Sequence, residues 1–320
     1  YKFVSQEKGV KVVLEANPNY WGGPVPLQQV VIRPIAEMTA AVSALLAGEV
    51  QLIASRDSDS VEPLRSNAQF DFKTANMPLS NPWIFNMAEK PFDDKRVRQA
   101  LNWAVDRDTY TKTILKGLAQ SAKSVFGPAM AAFNPSLPGY TYDPDKAKFY
   151  LKKSGVSSIT APLSASDAAF NGAVDAALLF QANAKAAGVD FPLKKEPADG
   201  FWDNVWLKAP FCESYWGGRP CATMMMTVAM TSSAAWNETG WKVPAFDKLL
   251  ADAKKEIDHD KRKAMIFELQ RMTHDDGGAV VPAFKSWVDA AAQKVKNYKP
   301  YSLYDLCNTR VAEMVWIDES

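Results

Sequence analysis

The chain has 320 residues, 47% of them apolar and 23% charged, with a formal net charge of +1 at pH 7. That length can bury more than one core, so two lobes are expected. The near-neutral balance gives no ground for attraction to nucleic acid or a membrane surface, and no apolar run approaches the ~20 residues that a spanning helix needs.

Lys2–Val4 and Val10–Leu14 read as two short strands around a turn at Gly9, and Pro18–Gly23 as a loop with an aromatic plug. A strand at Val30–Ile32, a helix capped by Thr39 and ended by Gly48, and a strand at Val50–Ile53 follow in the order of a βαβ unit. Ser60–Arg65 reads as a short helix and Phe70–Lys73 as a strand leading to a crossover at Asn81–Asn86. The Asp93-Asp94 pair marks a helix start, because a carboxylate accepts from free first-turn N–H groups. Val97, Ala100, Leu101, Ala104 and Val105 then form one apolar stripe, which puts Arg96, Arg98, Gln99 and Asn102 in water. A second helix starts at Asp106 or Asp108 and stops near Gly117.

Beyond a Pro/Gly-rich loop at Gly127–Gly139, Asp143-Pro144 opens a helix closed by Gly155. Ile159–Ser164 and Val189–Leu193 read as strands flanking an Ala-rich helix over Ala173–Ala187, and Ser214–Tyr215 as the end of another strand. Helices over Ala245–Ile257 and about 260–274, a buried strand at Ala279–Phe284 and a mixed tail at 295–317 complete the pass.

Five segments carry a family resemblance, in order along nearly the whole chain: LEANPNYWGGPVPLQQVVIRPI, ALLAGEVQLI, FN…KPFDDKRVRQALNWAVDRD, YTYDPDKAKFYLKKSGV and PAFDKLLADAKKEID. Together they resemble the extracellular solute-binding proteins of family 5, the dipeptide-, oligopeptide- and nickel-binding components of ABC importers. The resemblance implies a two-lobed α/β fold of the periplasmic-binding-protein kind, type II-like, with a hinge between lobes. It implies lobe I from residues 1–85 plus 295–320, and lobe II inserted as 86–294. Members normally carry a further N-terminal portion, so the N-terminal part of the family fold is expected to be absent here. It also implies a periplasmic or cell-surface location, a peptide or other small ligand and an ABC permease as partner; a monomer without cofactor is expected, and the two His and three Cys, without metal-ligand spacing, give no metal site.

FCESYWGGRP, residues 211–220, is the candidate for chemistry. Gly217 and Gly218 allow close approach, and Trp216 offers a flat apolar face with one N–H donor. The segment resembles the family's G-W-x-x-D loop, whose Trp lines the ligand cleft and whose Asp pairs a peptide's α-amino group. Trp216 takes the Trp place, but Arg219 takes the Asp place. A guanidinium repels an ammonium and suits a carboxylate or phosphate. Either Arg219 contacts an anionic ligand group or it pairs a structural acid such as Glu213. Asn81 and Trp83, at the crossover, are expected on the cleft wall, with a core position as the alternative for Trp83.

Other residues read more plainly. Cys212 and Cys221 form either a short-loop disulfide or two free thiols, and Cys307 a small buried hydrophobe. Met224–Met226 suit adaptable core packing, and Trp202, Trp206, Trp236 and Trp241 packing in a lid. His274, Asp275 and Asp276 could chelate a cation, though a turn before Gly277 explains them without one. An enzyme is not expected: G-x-S-x-G, H-E-x-x-H and P-loop motifs are all missing. Paired glycosidase-like carboxylates and a docking or receptor domain are the alternatives.

Overall fold

The computed structural model describes residues 1–55 and 60–319. The chain divides into two compact units, Tyr1–Met77 with Ser286–Ser320, and Pro78–Lys285. Both crossings fall earlier than the expected 85/86 and 294/295, and strand pairing explains why. Trp83–Phe85 bonds to Phe211–Glu213 and Ala279–Val280, so it belongs to the second unit. Residues 288–291 of the strand Ala283–Ala292 pair with Leu52–Ser55, so they belong to the first.

In the first unit, Lys2–Glu7, Lys11–Glu15 and Gln29–Ile32 form an antiparallel meander. The expected βαβ unit is not formed. Gln29–Ile32 stays in that meander, whereas Leu52–Ser55 joins a different sheet, antiparallel to Ala283–Ala292. The intervening helix, Met38–Leu46, begins after Glu37, which makes no side-chain cap; Thr39 lies inside it. Its Ala41, Val42 and Leu45 pack with Ile53, Leu64 and Ala290 in a small core.

The second unit is built on a five-stranded sheet. Leu193–Lys195, Leu163–Ala165 and Phe211–Glu213 run parallel, Trp83–Phe85 runs against them, and Ala279–Val280 closes the edge antiparallel to it. Two expected strands are each broken in two. Pro162 separates Ile159–Thr160 from Leu163–Ala165, and Pro192 separates Val189–Asp190 from Leu193–Lys195, because proline has no N–H to give a ladder. The helices start at the acidic residues read as caps: Asp94, Asp106 and Asp143 accept from Arg96, Thr109 and Lys146 backbone N–H groups at 2.8, 2.9 and 2.8 Å. The stripe of Lys95–Trp103 is buried as expected, at Val97, Ala100 and Leu101.

Aromatic rings fill the core under this sheet. Phe85 lies 4.9 Å from Phe92 and 4.8 Å from Phe211, and Phe191 lies 4.9 Å from Phe211. A satellite core under Pro244–Lys255 and His259–Asp276 is rich in methionine, with Met130 and Met226 buried among Trp241, Phe246 and Leu250.

Arg98 overturns the expectation of a wet side chain. It is 3% exposed, and its guanidinium donates to the Phe92 carbonyl at 2.7 Å and to the Asp276 carboxylate at 2.5 Å. The helix-wheel position is off the stripe, but the neighbouring polypeptide supplies acceptors there. Asp276 also accepts from Trp241 Nε1 at 3.0 Å, and Asp275 pairs with Arg271 at 2.7 Å, so these acids are already engaged within the protein.

Candidate functional site

Strand register assembles the site. Glu213 stands opposite Trp83, and Cys212 opposite Ser164. The carboxyl ends of Leu163–Ala165 and Phe211–Glu213 therefore share one sheet edge with the start of Trp83–Phe85. Chains leaving that edge carry Ser80, Asn81, Ser166 and Ser214 through Arg219. In open α/β sheets the crevice beyond the carboxyl ends of the strands is where ligands bind.

The loop after Glu213 is stitched to the crossover by backbone bonds. Ser214 N–H donates to the Pro82 carbonyl at 3.0 Å, and Trp216 and Ser80 exchange N–H···O bonds of 2.9 and 3.1 Å. Trp216 is 8% exposed and lines a small pocket with Met225, Met230, Trp241 and Glu238. Gly217 and Gly218 follow, both half-buried. Gly217 has no positive φ, and a Cβ on it would meet only Arg219 Nη1 at 3.8 Å. Local geometry therefore does not demand a glycine at 217; the space it leaves is open.

Arg219 is half-buried. Its Nη1 donates to the Gly217 and Gly218 carbonyls at 3.1 and 3.3 Å, and its guanidinium carbon lies 5.9 Å from the Trp216 ring centroid. No carboxylate among the described residues forms an ion pair with it. The alternative partner, Glu213, is engaged elsewhere. It is fully buried, accepts from Trp83 Nε1 at 3.1 Å, and burial lifts its carboxyl well above the ordinary glutamate range.

Two expected wall residues need correction. Trp83 is a core residue, 1% exposed and 4.3 Å from Phe180, because its strand is paired on both sides and its indole N–H is spent on Glu213. Asn81 lies at the predicted edge but is 2% exposed, and its side-chain amide has no hydrogen-bond partner among the described residues. Cys212 and Cys221 are free thiols, and burial pushes the Cys212 thiol up. Of the methionine triplet, Met226 is buried, Met225 lines the pocket and Met224 is exposed.

Glu238 is the residue that sequence reasoning passed over. Its carboxylate accepts from Trp206 Nε1 at 2.6 Å, from Ser214 Oγ at 2.8 Å and from Trp216 Nε1. Burial raises its proton affinity, and the three donors pull the other way with a smaller effect. The available signal was the density of tryptophan around it, at 202, 206, 216, 236 and 241, since a buried indole N–H needs an acceptor.

A sequence model of the bacterial extracellular solute-binding proteins, family 5 Middle, matches residues 1–238. The dipeptide-binding protein of Escherichia coli (strain K12) is 26% identical over 318 residues, covering 93% of this chain and 57% of that protein. A Helicobacter pylori ABC transporter-associated periplasmic binding protein, DppA, solved with the peptide STSA, superposes with a TM-score of 0.79 at 25% identity. That match covers 99% of this chain and 62% of the other. The substrate-binding protein CtaP of Listeria monocytogenes gives a TM-score of 0.88 at 21% identity over 100% of this chain and 66% of the other, a likeness of fold. The chain thus spans about 57% of the length of its E. coli relative.

Proposed function

The chain belongs to the bacterial extracellular solute-binding proteins, family 5, and from that footing we propose that it captures a peptide-class or other small solute bearing an anionic group and delivers it to an ABC permease. The observation that carries the reading is Arg219: a half-buried guanidinium beside a wall tryptophan, at the ligand-favoured edge of the sheet, with no acid of the described residues on it. A guanidinium offers five donors in a planar fork, and here only Nη1 is used. The remaining donors suit a carboxylate or phosphate.

Relatives named for dipeptides, di- and tripeptides and glutathione support a peptide-class solute, all of which carry carboxylates. No covalent step is part of this function. The solute stabilises a closed state by contacts made only there, a hinge mechanism in which the protein acts as a monomer outside the cytoplasm. No helix of the described residues is long and apolar enough to cross a membrane. The paired-carboxylate and docking-domain alternatives gain no observation.

Native mass spectrometry of protein purified without denaturation tests the proposal. A stoichiometric small solute carrying a carboxylate or phosphate is expected. A co-purified solute that lacks any anionic group would remove Arg219 from the site.

A further inference from the structure

The five-stranded sheet of the second unit borders another groove, at the edge opposite the one where Trp216 lies. Strand register places it. Leu163–Ala165 and Phe211–Glu213 start at that edge and Trp83–Phe85 ends there, so Pro162, Pro210 and the Lys90-Pro91 segment come together. The end of the helix Phe201–Asn204 and the return through Lys208 supply the rest of the wall. The groove holds about 360 Å³, within the span of small-molecule sites.

Its lining has two characters. Pro91, Pro162, Val205, Ala209 and Pro210 are apolar, and the prolines among them carry no backbone N–H. Donors for an anion must therefore come from side chains, and the side chains with charge to offer are lysines. Lys90, Lys194 and Lys208 border the groove against two acids, Glu89 and Glu196. Glu196 is engaged within the protein. Its side chain is 10% exposed, and its Oε1 takes Lys194 Nζ at 2.8 Å and the hydroxyl of the buried Ser164 at 2.9 Å. Glu89 accepts from the Asn86 side-chain amide at 3.3 Å. Lys90 and Lys208 form no ion pair with an acid of the described residues, and the Lys208 ammonium donates to the Asp203 carbonyl, a neutral group.

We propose that this groove binds a small organic anion, a carboxylate or phosphate on a compact apolar body. The anionic group takes its donors from Lys90 and Lys208, and the body packs on the prolines and Val205. An ammonium is a compact point charge on a flexible stem, so either anion can be met without the planar geometry that a guanidinium demands. The inference goes beyond the solute reading and does not depend on it, because no residue of the Trp216–Arg219 loop lines this groove.

Titration calorimetry at pH 7 and low salt tests it with four probes: phenyl phosphate, phenylacetate, the neutral benzyl alcohol, and benzylammonium, whose charge is reversed. At least one of the two anions should bind at least tenfold tighter than the alcohol and than benzylammonium. The double variant Lys90→Ala/Lys208→Ala, which changes two exposed residues, should lose at least tenfold of that affinity. If the double variant does not fold, Lys208→Ala alone decides, with an expected loss of at least threefold. Arg219→Ala should leave the anion's affinity as it is. Tighter binding of phenyl phosphate assigns the site to phosphates, and equal or tighter binding of phenylacetate to carboxylates. The proposal is overturned if neither anion outdoes the alcohol, if benzylammonium binds as tightly as the anions, or if the folded lysine variant keeps wild-type affinity. It is also overturned if Arg219→Ala abolishes the binding, which would place the anion at the other edge. Failure here leaves the Arg219 reading standing, since that reading is tested by the affinity of Arg219→Ala for peptides.

Discussion

Arg219 and Asp289 lead to different kinds of expectation. Arg219 bonds only to carbonyls of its own loop, so truncating it removes little from the fold. A hydrogen bond to a charged group is worth about 1.5–3 kcal/mol, so Arg219→Ala should weaken an anionic solute by roughly one to two decades with little change in melting temperature. Calorimetry paired with thermal melting reads both. Asp289, in the first unit, is 1% exposed and accepts from the Tyr298 hydroxyl, and burial raises its pKa from 3.8 to about 6. A carboxyl that holds its proton more tightly folded than unfolded favours the folded state at low pH. That advantage is full below about pH 4 and lost as pH rises through about 6. Two pKa units correspond to roughly 2–3 kcal/mol. Asp289→Asn should therefore gain about that much stability relative to the parent between pH 4 and pH 7, measured by denaturant titration at both. Equal slopes with pH for the two proteins would show that Asp289 carries no such charge.

At the scale of elements, local chemistry was legible where it is local. The caps Asp94, Asp106 and Asp143 and the stripe of Lys95–Trp103 depend on residues within a turn or two, and the sequence pattern places them. Glu238, Trp83 and Arg98 depend on partners far away in the chain. Glu238 meets Trp206, Ser214 and Trp216 from 22 to 32 positions off, and Arg98 meets Asp276 from 178. No periodicity reports such meetings. The close packing that makes the pocket wall is similarly hidden. Gly278 borders the pocket, and a Cβ there would lie 2.8 Å from both Met87 Cγ and Thr239 Cβ. Overpacking of this kind costs about 1–3 kcal/mol, so Gly278→Ala should lower the melting temperature and weaken solute binding together. A variant with unchanged stability would mean that the wall yields freely.

For the whole molecule, membership of the family was legible in five ordered segments, whereas the limits of the two units were not. The crossing near residue 77 is decided by Trp83–Phe85 pairing with strands some 130 and 195 positions later, a register that the apolar run alone does not encode. The departure at Arg219 was legible as a departure, and the structure adds that none of the described acids takes its charge. The central claim is that a solute's anionic group binds at Arg219. Titration calorimetry of a panel of di- and tripeptides, run in parallel on the wild type and on Arg219→Ala, addresses it most directly. The account predicts saturable one-to-one binding of at least one peptide to the wild type, no hydrolysis of it, and a loss of ten- to a hundredfold in the variant. A peptide that binds the folded variant as tightly as the wild type would contradict it.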